Sequence, residues 1–235
     1  MLTFTVLTLF PEMFPGHLGY SLAGKALAAG KWRCNAVNIR DYALDKHKTV
    51  DDTPYGGGAG MLMKSDVVDR AITANHEKGG LLINLSPRGR LLDQQMVREF
   101  SAYDAITMLC GHYEGIDQRV LDKHRCVDVS VGDYILSGGE IAALTLMDAL
   151  IRLLPEVMGG GEDTLKEESF NDGLLEYPQY TRPYDFDGVT VPAVLLSGHH
   201  EKIMQWRTDQ KIAVTKERRP DLWEKFAIKL KEKGK

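Results

Sequence analysis

The chain reads as an α/β protein built on a mostly parallel sheet, with a small helical region at its C-terminal end. Three observations predict this. Short apolar runs alternate with helical patterns from the N-terminus to Pro155, the order that a parallel sheet with crossover helices produces. Glycines crowd the ends of those runs: Gly111, Gly115, Gly132, Gly138 and Gly139 lie between Leu109 and Glu140, interleaved with Tyr113, Glu114, Asp133 and Tyr134. Past an acidic, glycine-rich stretch, the sequence ends in two helical patterns.

Each element has its own warrant. Residues 4–10 alternate as a short strand, ended by Pro11 and Pro15. Residues 18–29 predict a helix closed by Gly30, and 36–39 a second strand. Residues 53–61, TPYGGGAGM, must be a loop. Ser65 and Asp66 open a helix with Val67, Val68, Ala71 and Ile72 on one face. Residues 81–85 form an apolar run between Gly80 and Ser86-Pro87, a buried strand. A helix over 91–100 and strands over 105–110 and 127–131 follow. The clearest helix spans 138–154. Ile141, Leu144, Met147 or Asp148, Ile151 and Leu154 track its inner face, and Pro155 stops it. Residues 158–173 have almost no apolar anchors and read as a flexible linker containing the domain boundary. The final helices fall near 201–216 and 221–233.

Composition narrows the function. The 235 residues allow one large domain or two modest ones, and 43% hydrophobic content supports a genuine core. No apolar run approaches the ~20 residues that span a bilayer. The start, MLTFTVLTLFPEMF, lacks a basic segment and a small-residue cleavage site, so it reads as a strand and not a signal peptide. Cys34, Cys110 and Cys126 match neither a zinc spacing nor a disulfide framework, which fits a reducing cytoplasm. The net charge of −4 argues against nucleic acid until its distribution is considered. Residues 199–235 carry 11 Lys+Arg against 6 Asp+Glu, while the preceding part carries 18 against 27. A basic tail on an acidic body is the asymmetry of an RNA or DNA binder, or the solvated face of an amphipathic helix pair.

Two familiar phosphate motifs fail. GYSLAGKA, over 19–26, puts Ala26 where a P-loop needs the Ser or Thr that holds Mg²⁺. In GGGAGM, Met61 stands where a dinucleotide fingerprint beginning at Gly56 needs glycine. The midchain glycines offer more. Ser86-Pro87-Arg88-Gly89, Cys110-Gly111-His112-Tyr113-Glu114-Gly115 and Val131-Gly132-Asp133-Tyr134 each follow a predicted strand. Ligands of open α/β sheets sit at the carboxyl ends of strands, so these are three ordinary tight turns or the walls of one pocket.

The motifs PYGGGAGMLM, LSPRGR, LCGHYEGIDQRV, VGDYILSGGE, ESFNDGLLEYPQYTRP and VPAVLLSGHH, in this order and spacing, resemble the bacterial tRNA (guanine-N1)-methyltransferases of the SPOUT class over essentially the whole chain. The resemblance implies a SPOUT-type parallel sheet with a deep trefoil knot, over 1–158. It implies a catalytic linker over 159–173 and a small helical tRNA-binding domain over 174–235. It implies S-adenosylmethionine-dependent methylation of N1 of guanosine at tRNA position 37, in the cytoplasm, by a homodimer with a shared active site, with Mg²⁺ as an optional assistant. No carboxylate cluster in the sequence marks a metal site.

Carried over residue by residue, the cofactor would be lined by Gly111, Val131, Gly132, Asp133, Tyr134, Ile135 and Leu136. Pro87, Gly115, Gly138 and Gly139 would shape the same cleft. Guanine N1 is protonated at neutral pH, so methylation requires a general base. The resemblance places a carboxylate directly before Ser-Phe, usually Asp; here it is Glu168, with Glu167 as its neighbour. A free glutamate titrates near ~4.3, so burial against substrate would have to raise it. Arg152 matches an arginine near the reacting base, where it would stabilise negative charge, or it is a surface arginine favoured by a helix C-terminus. Tyr180, Arg182, Lys202, Arg207, Lys211, Arg218 and Arg219 would contact tRNA. Ala59 departs from the proline expected in a GGGPG loop. A rival reading is a non-catalytic RNA-binding protein with a SPOUT fold, supported only by the change to Glu168. A P-loop NTPase fails at Ala26.

Overall fold

The first strand, β1 (Leu2–Thr8), is buried at six of its seven positions, as a strand covered on both faces must be. The computed structural model describes residues 1–159 and 168–233, and the chain divides into two compact units, Met1–Gly159 and Gly160–Lys235. In the first unit, short 3-10 turns at Pro11–Met13 and Gly16–Gly19 lead into α1 (Ser21–Ala28) and β2 (Trp32–Asn38). A small antiparallel ribbon, β3 (Asp51–Asp52) with β4 (Leu62–Met63), brackets the glycine loop. Then come α2 (Ser65–Asn75), β5 (Leu81–Leu91), α3 (Gln94–Phe100), β6 (Ala105–Cys110), α4 (Gln118–His124), β7 (Val127–Ser130) and α5 (Glu140–Ile151). The main sheet has the order β2-β1-β6-β5-β7, and every pairing in it is parallel.

Both faces of the sheet are covered. On one, Phe4, Trp32, Ile83 and Ile106 pack with residues of α1, α3 and α5. On the other, Leu7, Leu82 and Leu109 pack with Val67, Val68, Ala71 and Ile72 of α2 and Val120 and Leu121 of α4. The predicted inner face of α2 is therefore the observed one. Burying each such Leu, Ile or Val contributes about 1.5–3 kcal/mol.

The structure also moves several predicted boundaries. The predicted helix over 18–29 is split, because Gly16–Gly19 closes as a 3-10 turn before α1 begins. The strand predicted over 81–85 continues to Leu91, taking the first residue of the predicted helix over 91–100. Asp93 then sets the start of α3, its carboxylate accepting from Met96 N at 2.8 Å. Pro87 is tolerated within β5 because the pairing with β7 slips between Leu85 and Arg90, leaving residues 86–89 outside the ladder. The helix α4 had no prediction. The helix α5 is shorter than 138–154, and Ile141 points outward, 52% exposed. Apolar residues lie nearly all round α5, so periodicity alone could not select its inner face.

In the second unit, a hairpin of β8 (Asp185–Phe186) and β9 (Val189–Thr190) precedes α6 (His200–Arg218) and α7 (Pro220–Lys233). Both helices begin a residue before their predicted starts, and α6 runs two residues past its predicted end.

Candidate active site

Three of the glycine-rich turns converge. A cleft of 310 Å³ opens at the carboxyl ends of β5, β6 and β7, within the usual size range of small-molecule sites. The slipped segment of β5 contributes Ser86, Pro87 and Arg88; the turn after β6 contributes Gly111 and Gly115; the approach to α5 contributes Val131, Gly132, Tyr134, Ile135, Leu136, Gly138 and Gly139. Of the residues expected to line the cofactor, Asp133 alone is not among the walls. It is exposed, while its neighbours Gly132 and Tyr134 face the cleft.

Close packing explains the glycines better than unusual backbone does. Only Gly115 has positive φ among the predicted cleft glycines, at +121°. A Cβ on Gly139 would lie 2.6 Å from the Cα of Cys110, so two backbones touch there. On Gly132 it would lie 2.2 Å from the Tyr134 ring. The loop over 53–61 docks on the same wall. Glu114 N donates to Met61 O and Met63 N to Gly115 O, both at 2.9 Å.

Two polar features were missed by the sequence reading. Asn84 is buried in the cleft wall; its Nδ2 donates to Asp128 Oδ1 at 2.7 Å, and its own Oδ1 has no hydrogen-bond partner. An orphaned acceptor of this kind is a place where a ligand donor is favoured. The second is Glu140, buried against Thr8 and His112. Its only signal was an acidic residue directly after Gly138-Gly139 at a helix start. Burial disfavours the thiolate at all three cysteines. Burial pushes Cys34 up to about 11, burial with Asp128 nearby pushes Cys126 up to about 12, and burial raises Cys110 well above the ordinary thiol range.

Arg152 caps the C-terminus of α5 and lines a separate 260 Å³ recess with His17, Tyr20, Ser21 and Asp148. Glu168 is half-buried and belongs to the second unit; Glu167 lies outside the described residues. The predicted tRNA contacts divide in two. Tyr180, Arg182, Lys202 and Arg218 are exposed. Arg207 lies over the Tyr177 ring at 4.7 Å, Lys211 pairs with Asp172, and Arg219 makes two hydrogen bonds to Asp221 at 2.7 and 2.9 Å. Those three are engaged within their own unit, and the Tyr180 ring, though exposed, lies 6.2 Å from that of Trp206. Among the described residues no three His, Cys, Asp or Glu side chains converge to hold a metal, and no helix is long and apolar enough to cross a membrane.

A doubly covered parallel sheet with a cleft at its strand ends is the architecture in which α/β proteins place small-molecule sites. Comparison with known proteins narrows the class. The family profile described as tRNA (Guanine-1)-methyltransferase TrmD matches residues 2–225. A tRNA (guanine-N(1)-)-methyltransferase of Rhodospirillum rubrum is 58% identical over 221 residues, covering 94% of this chain and 92% of the relative. One from Rhizobium etli is 56% identical over 223 residues, covering 94% of each, and one from Ruegeria sp. is 53% identical, covering 93% and 90%. The chain belongs to the tRNA (guanine-N1)-methyltransferase family.

Proposed function

We propose that the protein methylates N1 of guanosine at position 37 of tRNA, using S-adenosylmethionine, as a homodimer. The observation that carries the reading is the cleft at the ends of β5, β6 and β7, walled by ten of the eleven residues expected to hold the cofactor, in a chain of this family. The residues fit that ligand. Ile135, Leu136 and Val131 offer apolar cover, turn backbone offers N–H and C=O groups for an adenine edge, and Asn84 Oδ1 offers an unused acceptor.

When bound, S-adenosylmethionine supplies a sulfonium-activated methyl group and leaves as S-adenosylhomocysteine. Glu168 removes the proton from guanine N1, leaving the N1 lone pair to form the new N–C bond as the donor's S–C bond breaks. Arg152 stabilises the negative charge that develops on the base. In a dimer, the cleft of one protomer would work with Glu168 of its partner. Tyr180, Arg182, Lys202 and Arg218, all exposed on the second unit, would meet tRNA. No step is assigned to Mg²⁺.

Labelled-methyl transfer to transcript tRNA, followed by mapping of the product, tests the reaction. Label at N1 of guanosine 37 supports it; binding of tRNA without transfer favours the non-catalytic RNA binder. Mixing Gly132→Val and Glu168→Gln homodimers under exchange conditions tests the shared site. Activity restored at one of two sites is expected, and no recovery contradicts sharing.

A further inference from the structure

Of the described residues, Glu140 is the one charged side chain that is fully buried, 3% exposed. Its carboxylate accepts from Thr8 Oγ1 at 2.6 Å and lies 2.8 and 2.9 Å from Nε2 of His112. Thr8 ends β1, His112 follows β6, and Glu140 opens α5. One carboxylate therefore fastens three segments together. A carboxylate partner requires a proton on Nε2, which fixes the orientation of the imidazole. An apolar residue could fill a site beside Ala142 and Ala143 without the desolvation cost of a buried charge, so stability alone does not account for Glu140.

The neighbouring cleft wall is shaped around this pair. A Cβ on Gly138 would lie 2.4 Å from His112 Cε1 and 2.5 Å from Glu140 Oε2. Gly139 N donates to Gly111 O at 3.1 Å. His112, Gly111, Gly138 and Gly139 all line the cleft.

We propose that Glu140 is a positioning residue for the methyl donor: through His112 and the seated Gly138-Gly139 turn, it holds the cleft in its ligand-ready shape before binding. This rests on the reading that the cleft takes S-adenosylmethionine. A preformed wall lowers the ordering cost of binding, so its loss falls on cofactor affinity.

The test is calorimetric titration of S-adenosylmethionine into the full-length protein, with steady-state kinetics and thermal melting, for wild type, Glu140→Gln, His112→Ala and the double variant. Each single variant should weaken cofactor binding and raise KM for S-adenosylmethionine about tenfold, roughly 1.4 kcal/mol. At saturating cofactor, kcat and the KM for tRNA of Glu140→Gln, whose side chain does not line the cleft, should stay within about twofold. The double variant should bind no worse than the weaker single variant, because both act through one contact. Unchanged cofactor affinity in folded Glu140→Gln overturns the proposal. So do additive losses, or a fall in kcat matched by a poorer KM for tRNA. If Glu140→Gln does not fold, Thr8→Val and His112→Ala carry the same test. Wild type that binds no S-adenosylmethionine overturns the cofactor reading, and this inference with it.

Discussion

In the sheet unit, β1, β5 and β6 are buried along most of their paired length, whereas only Leu174, Tyr177 and Thr215 are buried among the described residues of the 168–233 unit. The smaller unit is joined by different contacts. Leu175 N donates to Thr215 Oγ1 at 2.9 Å, Lys211 pairs with Asp172, and cations lie over aromatic rings at Arg207–Tyr177 and Lys216–Trp223. The sheet unit can hold a cleft rigid because close-packed layers fix its strand ends. The smaller unit keeps basic and aromatic side chains at its surface, which suits a large polyanion better than a small ligand. On the proposed reading, the cofactor cleft belongs to the first unit, while the tRNA-contacting side chains and Glu168, the proposed base, belong to the second.

The largest expected effect breaks the division at its chemical step. Glu168→Gln should bind cofactor and tRNA as wild type does, but lose ~10²–10⁴-fold in single-turnover transfer. Glu168→Asp should stay active, and Glu167→Gln should matter little. If Glu167→Gln is the inactive variant, the base lies one residue earlier.

A second variant acts on the cleft alone. Valine at Gly132 cannot coexist with the present position of the Tyr134 ring, 2.2 Å from where its Cβ would stand. Gly132→Val should weaken S-adenosylmethionine binding by more than about tenfold, with tRNA affinity preserved. Calorimetry that finds unchanged cofactor affinity removes Gly132 from the site.

Salt sharpens the contrast. Affinity for tRNA should fall steeply between low and physiological salt, as counterion release requires, while cofactor affinity changes little. Arg182→Ala and Lys202→Ala should each reduce the salt slope of tRNA binding; Lys211→Ala should instead lower the melting temperature. Filter binding across a salt series separates the two outcomes.

The smallest effect concerns the surface of the sheet unit. Hydrogen bonds from Lys123 and His124 hold the Asp69 carboxyl below its ordinary range. A carboxylate held low in the folded state adds stability above its unfolded value, and that stability is lost as pH falls through the folded value. Asp69→Asn should therefore lower the melting temperature by a few degrees at most near neutrality, and by less as pH drops into the carboxylate range. A difference that grows on acidification contradicts the assignment.

Much of the sheet unit and its cleft was legible in the sequence because strand ends and turns carry strong local signals. Gly111, Gly115 and Gly132 marked the cleft, and Val67, Val68, Ala71 and Ile72 marked the inner face of α2. What escaped depended on distant partners. Glu140 meets Thr8 across 132 residues of sequence, and no period or motif announces such a pairing. Asp133 was carried over from the family resemblance with its neighbours; it is exposed and is not among the residues that line the cleft. The basic residues of α6 looked alike as charges; Asp172 and Tyr177, far from them in the chain, decide which are engaged.

The most direct test of the division is amide hydrogen exchange with and without S-adenosylmethionine. The account predicts slower exchange in segments 84–90, 110–116 and 130–142, with 174–233 unchanged. Protection within 174–233, or none at the three strand ends, would contradict it.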